Sequence, residues 1–183
     1  LSFRFSVFSS AYAYDNFTIE TYIVLIDVND DNTMEVEEII YADFDYESHG
    51  IYRKIPIKGF FSRTVDGELL ETKYKAVISD IEVENQKFTT KKEGSYQTIK
   101  IGDKNVLVDG MQKYHIKYTL DFGDDGIEDF DEFYFNVIGA EWSTYINNVG
   151  VVITMPEDFE DEEIGTSTGY AGESGSRIVD YRT

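Results

Sequence analysis

The chain has 183 residues, 42% of them hydrophobic, with 14 tyrosines and 13 phenylalanines, so one domain with a real core can form and disorder throughout is excluded. Thirty-six acidic against 16 basic side chains give a formal charge of −20, a field that repels nucleic acid and anionic lipid and suits a cation, a basic partner or simple solubility. The absence of cysteine removes disulfides, thiolate nucleophiles and sulfur-ligated zinc.

The first ten residues are apolar and serine-rich, and Ala11-Tyr12-Ala13 has the small-x-small form of a signal-peptidase site. Residues 1–13 therefore read as a signal-peptide remnant, although the alternation of Phe3, Phe5 and Val7 also permits a first strand. No run reaches the ~20 apolar residues of a membrane-spanning helix.

From Phe17 the apolar pattern has a period of two. Strands are expected over Phe17–Val28 and Met34–Tyr41, joined as a hairpin through Asn29-Asp30-Asp31-Asn32, where Asn32 can take positive φ. Further strands are expected over Ile51–Ile57, Tyr74–Val83 and Tyr96–Ile101. Next, Tyr114, Ile116, Tyr118 and Leu120 alternate with Lys113, His115 and Lys117, so the first set should be buried and the second exposed. Phe133–Val137 and Val149–Ile153 complete the series, with at most a short turn over Gly139–Tyr145. The expected fold is all-β: an antiparallel β-sandwich over 14–156, immunoglobulin-like or jelly-roll-like, with long acidic loops. Beyond Pro156 the carboxylate run 157–163 and the glycine- and serine-rich 165–176 read as a solvated loop, and Arg177–Tyr181 as the opening of a further strand.

Several side chains stand out. Arg53 shares a face with Ile51 and Ile55, and Glu38 interrupts the apolar face of Met34, Val36 and Ile40, so a structural Glu38–Arg53 pair is expected. His49 precedes a glycine at a strand entry and reads as a loop-holding histidine rather than a base. Trp142 reads as a core plug, with a sugar-stacking platform beside Tyr145 as the alternative. Asp27, Asn29, Asp31, Thr33, Glu35 and Glu38 have EF-hand spacing, but strand flanks argue against that motif. The better calcium candidate is Asp121, Asp124, Asp125, Glu128 and Asp129, five carboxylates around two glycines that a divalent ion would relieve of repulsion. No other cofactor is implied. Paired carboxylates of a glycoside hydrolase stay open by count alone.

The stretch His49-Gly50-Ile51-Tyr52-Arg53-Lys54-Ile55-Pro56 and the segment from Asp131-Glu132 to Trp142 occur in order with Val36-Glu37-Glu38, Ile99-Lys100-Ile101-Gly102-Asp103, Gln112 to Tyr118, and Val151 to Pro156. This set resembles the extracytoplasmic N-terminal region of the predicted bacterial membrane proteins grouped as domain of unknown function 2207. The resemblance implies a signal peptide, an extracytoplasmic β-rich domain and transmembrane helices outside the present sequence, with no activity to carry over. The resulting expectation is a non-enzymatic module at the cell envelope, serving interaction or sensing with an envelope protein or glycan. It would bind no nucleic acid and would meet the membrane only through segments outside this sequence. The alternatives are a carbohydrate-active or other hydrolase using two carboxylates, and a structural spacer.

Overall fold

A computed structural model describes residues 2–9, 16–65, 68–123, 132–156 and 164–170. Tyrosine, isoleucine, valine and threonine at alternate positions favour extended chain, and the described residues contain strands and no helix. Strand β2 (Phe17–Val28) turns through Asn29–Asn32 into β3 (Thr33–Ser48). Asn32 takes φ 61°, and the Asp31 carboxylate accepts hydrogen bonds from the backbone N–H and hydroxyl of Thr33. β3 is flanked on its other side by β10 (Val108–Asp121), which in turn pairs with β7 (Val77–Val83). With β12 (Val149–Thr154) beside β2, the order in this five-stranded sheet is β12-β2-β3-β10-β7.

A second sheet of three strands has the order β4-β9-β8, formed by Ile51–Pro56, Tyr96–Ile101 and Phe88–Glu93 respectively. The chain passes from the first sheet to the second at His49-Gly50, where two backbones cross closely. Gly50 (φ 121°) lies on the carbonyl of Ile101 and Gly102 (φ 132°) on that of His49, so a Cβ at either position would overlap a carbonyl oxygen. β5 (Lys58–Val65) follows β4 after Ile57, whose N–H donates to Ser95 O and whose carbonyl accepts from Ala76 N–H, and forms a hairpin with β6 (Glu68–Lys75). The core is shared by the two sheets: Ile40, Ile116 and Leu120 come from the first and Ile51, Ile55, Ile99 and Ile101 from the second, all buried. On β10 the face bearing Tyr114, Ile116, Tyr118 and Leu120 is buried, Lys113 and Lys117 are exposed, and His115 is partly covered.

Three expectations about the strands change. The sheet is antiparallel from β2 to β7, but β12 runs parallel to β2, because residues 145–148 first bond along its start: Ile19 N–H donates to Tyr145 O and Tyr22 N–H to Asn148 O. The expected strand Tyr74–Val83 is two elements, interrupted at buried Ala76, whose N–H donates to Ile57 O as the chain leaves the hairpin for β10. Ile164–Tyr170, within the stretch that composition reads as loop, is strand β13. It lies parallel to β1 (Ser2–Ser9), which also pairs with β11 (Glu132–Phe135). Ladder hydrogen bonds are made by the backbone, so a segment poor in hydrophobes can still be a strand.

Candidate functional site

The arrangement most distinctive of this chain is built around two adjacent glutamates on β3. Successive side chains of a strand point to opposite faces, so Glu38 joins the buried row of Val36, Ile40 and Ala42 while Glu37 faces outward. In the register, Glu38 lies opposite Val24 on one side and Ile116 on the other. Tyr22 and Tyr118 sit one pleat away, in opposite directions along the two neighbouring strands. A bulge in β2 between Ile19 and Thr21 makes this possible. The buried set on β2 shifts there from Phe17 and Ile19 to Tyr22, Val24 and Ile26, which carries the Tyr22 ring into the core.

Both phenols reach the carboxylate: Tyr22 Oη donates to Glu38 Oε2 at 2.6 Å and Tyr118 Oη to Oε1 at 2.7 Å. From β4, in the other sheet, Arg53 completes the set with a two-point contact. Its Nε donates to Oε2 and its Nη2 to Oε1, each at 2.8 Å. Its Nη1 donates to the Lys54 carbonyl at 2.7 Å. The guanidinium lies 6.0 Å from the Tyr22 ring centre and 5.9 Å from the Trp142 ring, which meets Tyr22 edge-on. Trp142 anchors itself by donating Nε1–H to Ile138 O, and Gly139 at φ 80° lets the backbone pass over the guanidinium.

Glu38 and Arg53 have 0% and 1% of their side-chain surface exposed. An ion pair so dry is tolerable only when its remaining donors and acceptors are satisfied, and here each carboxylate oxygen accepts two hydrogen bonds. Burial opposes the charged guanidinium, but Glu38 and then Tyr22 outweigh it and hold Arg53 well above its ordinary range. Burial pushes both phenols well up, with Arg53 opposing and Glu38 adding to the rise. Chemically this is a closed clamp between the sheets. Glu38, the one buried carboxylate among the described residues, is closed off from solvent together with its partners.

The outward neighbour Glu37 has a different setting. His115 on β10 places Nε2 2.5 Å from Glu37 Oε1 and Nδ1 2.7 Å from Glu84 Oε2, while Lys117 Nζ lies 3.3 Å from Glu37 Oε2. Partial burial pushes the Glu37 carboxyl up, but hydrogen bonds from His115 and Lys117 outweigh it and bring it below the usual range. The hydrogen bond from His115 lowers Glu84 as well. Sequence reading missed this group, since its members are distant in the chain and the pattern showed only alternation.

The remaining candidates are dispersed. His49 Nδ1 lies 3.2 Å from Asp103 O and 3.0 Å from Val106 O. Carbonyls only accept, so a proton on Nδ1 tethers the 103–106 turn to the crossing of Gly50 and Gly102. Trp142 is buried against Tyr22, whereas Tyr145 is exposed, so the two do not share a platform. The EF-hand spacing is dismantled: Asn29, Asp31 and Thr33 bond one another in the hairpin turn, and Glu38 is in the core. Of the calcium candidates, Asp121 accepts a hydrogen bond from Gly123 N–H at 2.7 Å. Asp124, Asp125, Glu128 and Asp129 lie outside the described residues. Among the described residues no three histidine or carboxylate side chains are grouped to hold a metal ion, and no helix is long and apolar enough to cross a membrane.

A family model described as the N-terminal domain of a predicted membrane protein (DUF2207) matches residues 18–182. No curated protein matches the sequence. Among solved structures, the M1 zinc metallopeptidase from Deinococcus radiodurans is similar at 4% identity and a TM-score of 0.35, over 61% of this chain and 21% of that one. A mutant of it bound to a Tyr-Ser-Ala substrate is similar at 6% identity and a TM-score of 0.34, over 62% and 23%. The chain spans about a fifth of the length of those structures, and a likeness this distant carries no argument about fold or activity.

Proposed function

We propose, from the premise that this chain belongs to the DUF2207 N-terminal domain family of predicted membrane proteins, that it is the extracytoplasmic module of a membrane-anchored protein. It is a β-sandwich that acts at the cell envelope by interaction or sensing and not by catalysis. The observation that carries the reading is the closed clamp: among the described residues, the buried carboxylate, the buried guanidinium and two buried phenols are spent on joining two sheets. Recognition therefore falls to the surface. An envelope protein or a glycan is the partner class we propose for the module's recognition role.

The cysteine-free sequence offers a direct test of the side of the membrane. In the full-length protein, Lys104→Cys places one thiol on an exposed turn of this domain. A membrane-impermeant maleimide should label it on intact cells, above the level seen with the unsubstituted protein. Labelling that appears only after lysis would place the domain in the cytoplasm and overturn the proposal.

A further inference from the structure

The charge of this chain is unevenly distributed. Between residues 53 and 104 there are eleven basic and eight acidic side chains, a net +3, which leaves −23 on the rest of the molecule. The fold gathers much of that basic excess on one face. From Ile51 to Phe60 burial alternates: Ile51, Arg53, Ile55 and Ile57 are buried and Tyr52, Lys54, Lys58 and Phe60 are exposed on the opposite side, with Pro56 and Gly59 half-buried. β4 and β5 thus present one outward row, about 26 Å long at ~3.3 Å per residue.

The neighbouring strands widen the row with more lysine. Lys100 of β9 is opposite Tyr52, with its ammonium 5.5 Å from the ring centre. On β6, Lys75 is directly opposite Lys58, and Lys73 is opposite Phe60, 5.8 Å from its ring centre. Acids border this face at three points. Glu93 is bonded to Lys91 at 2.7 Å, Glu141 accepts a hydrogen bond from Tyr96 Oη at 2.8 Å, and Glu71 lies at the outer end, opposite Ser62.

Two features of the row work against the fold alone. Like charges directly opposite one another across a ladder are destabilising, as Lys58 and Lys75 are. Large rings left in water forgo burial, and Tyr52 and Phe60 are 56% and 60% exposed. Lysines interleaved with exposed rings are the surface chemistry that rests at a lipid headgroup boundary, with ammonium groups on phosphates and rings entering the interface. The acidic remainder does not cancel this, because at physiological ionic strength charges beyond ~8 Å are largely screened.

We propose that this β4–β5 face docks flat on the anionic lipid surface of the bilayer to which its family is attached. The inference rests on family membership and on this face, and holds for either side of the membrane.

The test is flotation of the purified chain with vesicles of phosphatidylcholine alone and of phosphatidylcholine mixed one to one with phosphatidylglycerol. The anionic vesicles should bind at least about tenfold more protein, with the difference falling steeply as salt rises. Lys58→Glu with Lys54→Glu should lower that binding about tenfold or more. Phe60→Ser should weaken it while leaving the salt dependence unchanged. Lys75→Glu separates recognition from folding: by turning a repulsive cross-strand pair into an attractive one it should raise the melting temperature while reducing vesicle binding. Equal binding to both vesicle types, or full binding by the Lys58→Glu/Lys54→Glu variant, would overturn the proposal. So would complete displacement from vesicles by soluble polyglutamate at equal charge concentration, which would assign the face to an acidic polymer instead of lipid.

Discussion

Glu37 and Glu38 are neighbours in sequence, identical in chemistry, and placed in opposite energetic regimes by a single step along β3. Glu38 is dry, accepts four hydrogen bonds and faces a guanidinium held between two rings. Glu37, about a third exposed, meets His115 and Lys117 in contact with water. Its ion pairs are weakened by solvent and salt, whereas the clamp is shielded from both. An ion pair's weight in this fold therefore depends less on the distance between its charges than on what becomes of a partner left behind. Removing His115 leaves Glu37 to Lys117 and water. Removing Arg53 strands Glu38 in the core.

The widest gap between the two sites should appear on truncation. Arg53→Ala should cost about 3–5 kcal/mol in chemical denaturation, because it leaves a buried charge unpaired. Glu38→Gln should also be damaging, and Arg53→Ala with Glu38→Gln should lose less than the sum. Additive losses would show that the two residues do not act as a pair. Replacing the whole set with Arg53→Met, Glu38→Leu, Tyr22→Phe and Tyr118→Phe should recover most of the stability, since no buried charge or phenol is then left without its partner and only the Lys54 carbonyl loses a donor.

The hydroxyls come next. Tyr118→Phe deletes one of four donors to Glu38 and should cost about 1.5–3 kcal/mol, the range for a hydrogen bond to a charged group. An effect near zero in equilibrium unfolding would mean that three donors suffice. Gly139→Ala should cost about 1–2 kcal/mol. Its φ of 80° disfavours an L side chain, and the added Cβ would lie 3.2 Å from Arg53 Nη1.

The outer site should give the smallest response and the one most sensitive to conditions. His115→Gln should cost no more than about 1 kcal/mol through the pair with Glu37, and the loss should vanish near 1 M salt, where the Debye length is ~3 Å. The acid side provides a second reading. Glu37 and Glu84 have folded pKa values below their ordinary 4.5. They therefore add stability that is present above that value and lost as pH falls through the lower folded values. His115→Gln should flatten the decline of melting temperature in this window, while Tyr118→Phe should shift the curve down without flattening it. An unchanged acid slope in His115→Gln would show that the imidazole does not set those carboxyls.

Legibility from sequence followed what each residue's neighbours in the chain could report. The span Phe17–Val28 coincides with β2 and Tyr96–Ile101 with β9, because both carry apolar side chains on a half-buried face. β8 was illegible: Phe88 is followed by Thr89, Thr90, Lys91, Lys92 and Glu93, an exposed edge strand whose charges discourage further pairing and leave no apolar pattern. The bulge at Ile19–Thr21 was illegible too, since Thr18, Glu20 and Thr21 permit either phase until β3 fixes the register. Tyr22 therefore could not be named as a partner of Glu38, although an acid and an arginine on apolar faces were visible as a pair.

The residues read in order already contain the all-β class, the hairpin at Asn32, the buried face of Tyr114 to Leu120, and the family to which the chain belongs. Each of these rests on local chemistry: the period of the side chains, the φ a residue tolerates, and the order of short motifs. Contacts between distant strands are needed before β12 runs parallel to β2, both phenols converge on Glu38, and Lys100 and Lys73 come to lie opposite Tyr52 and Phe60. A formal charge of −20 is a sum, and a sum has no direction. Strand register brings distant residues to one surface, and screening within ~8 Å makes the charge met by a partner that of the surface it touches.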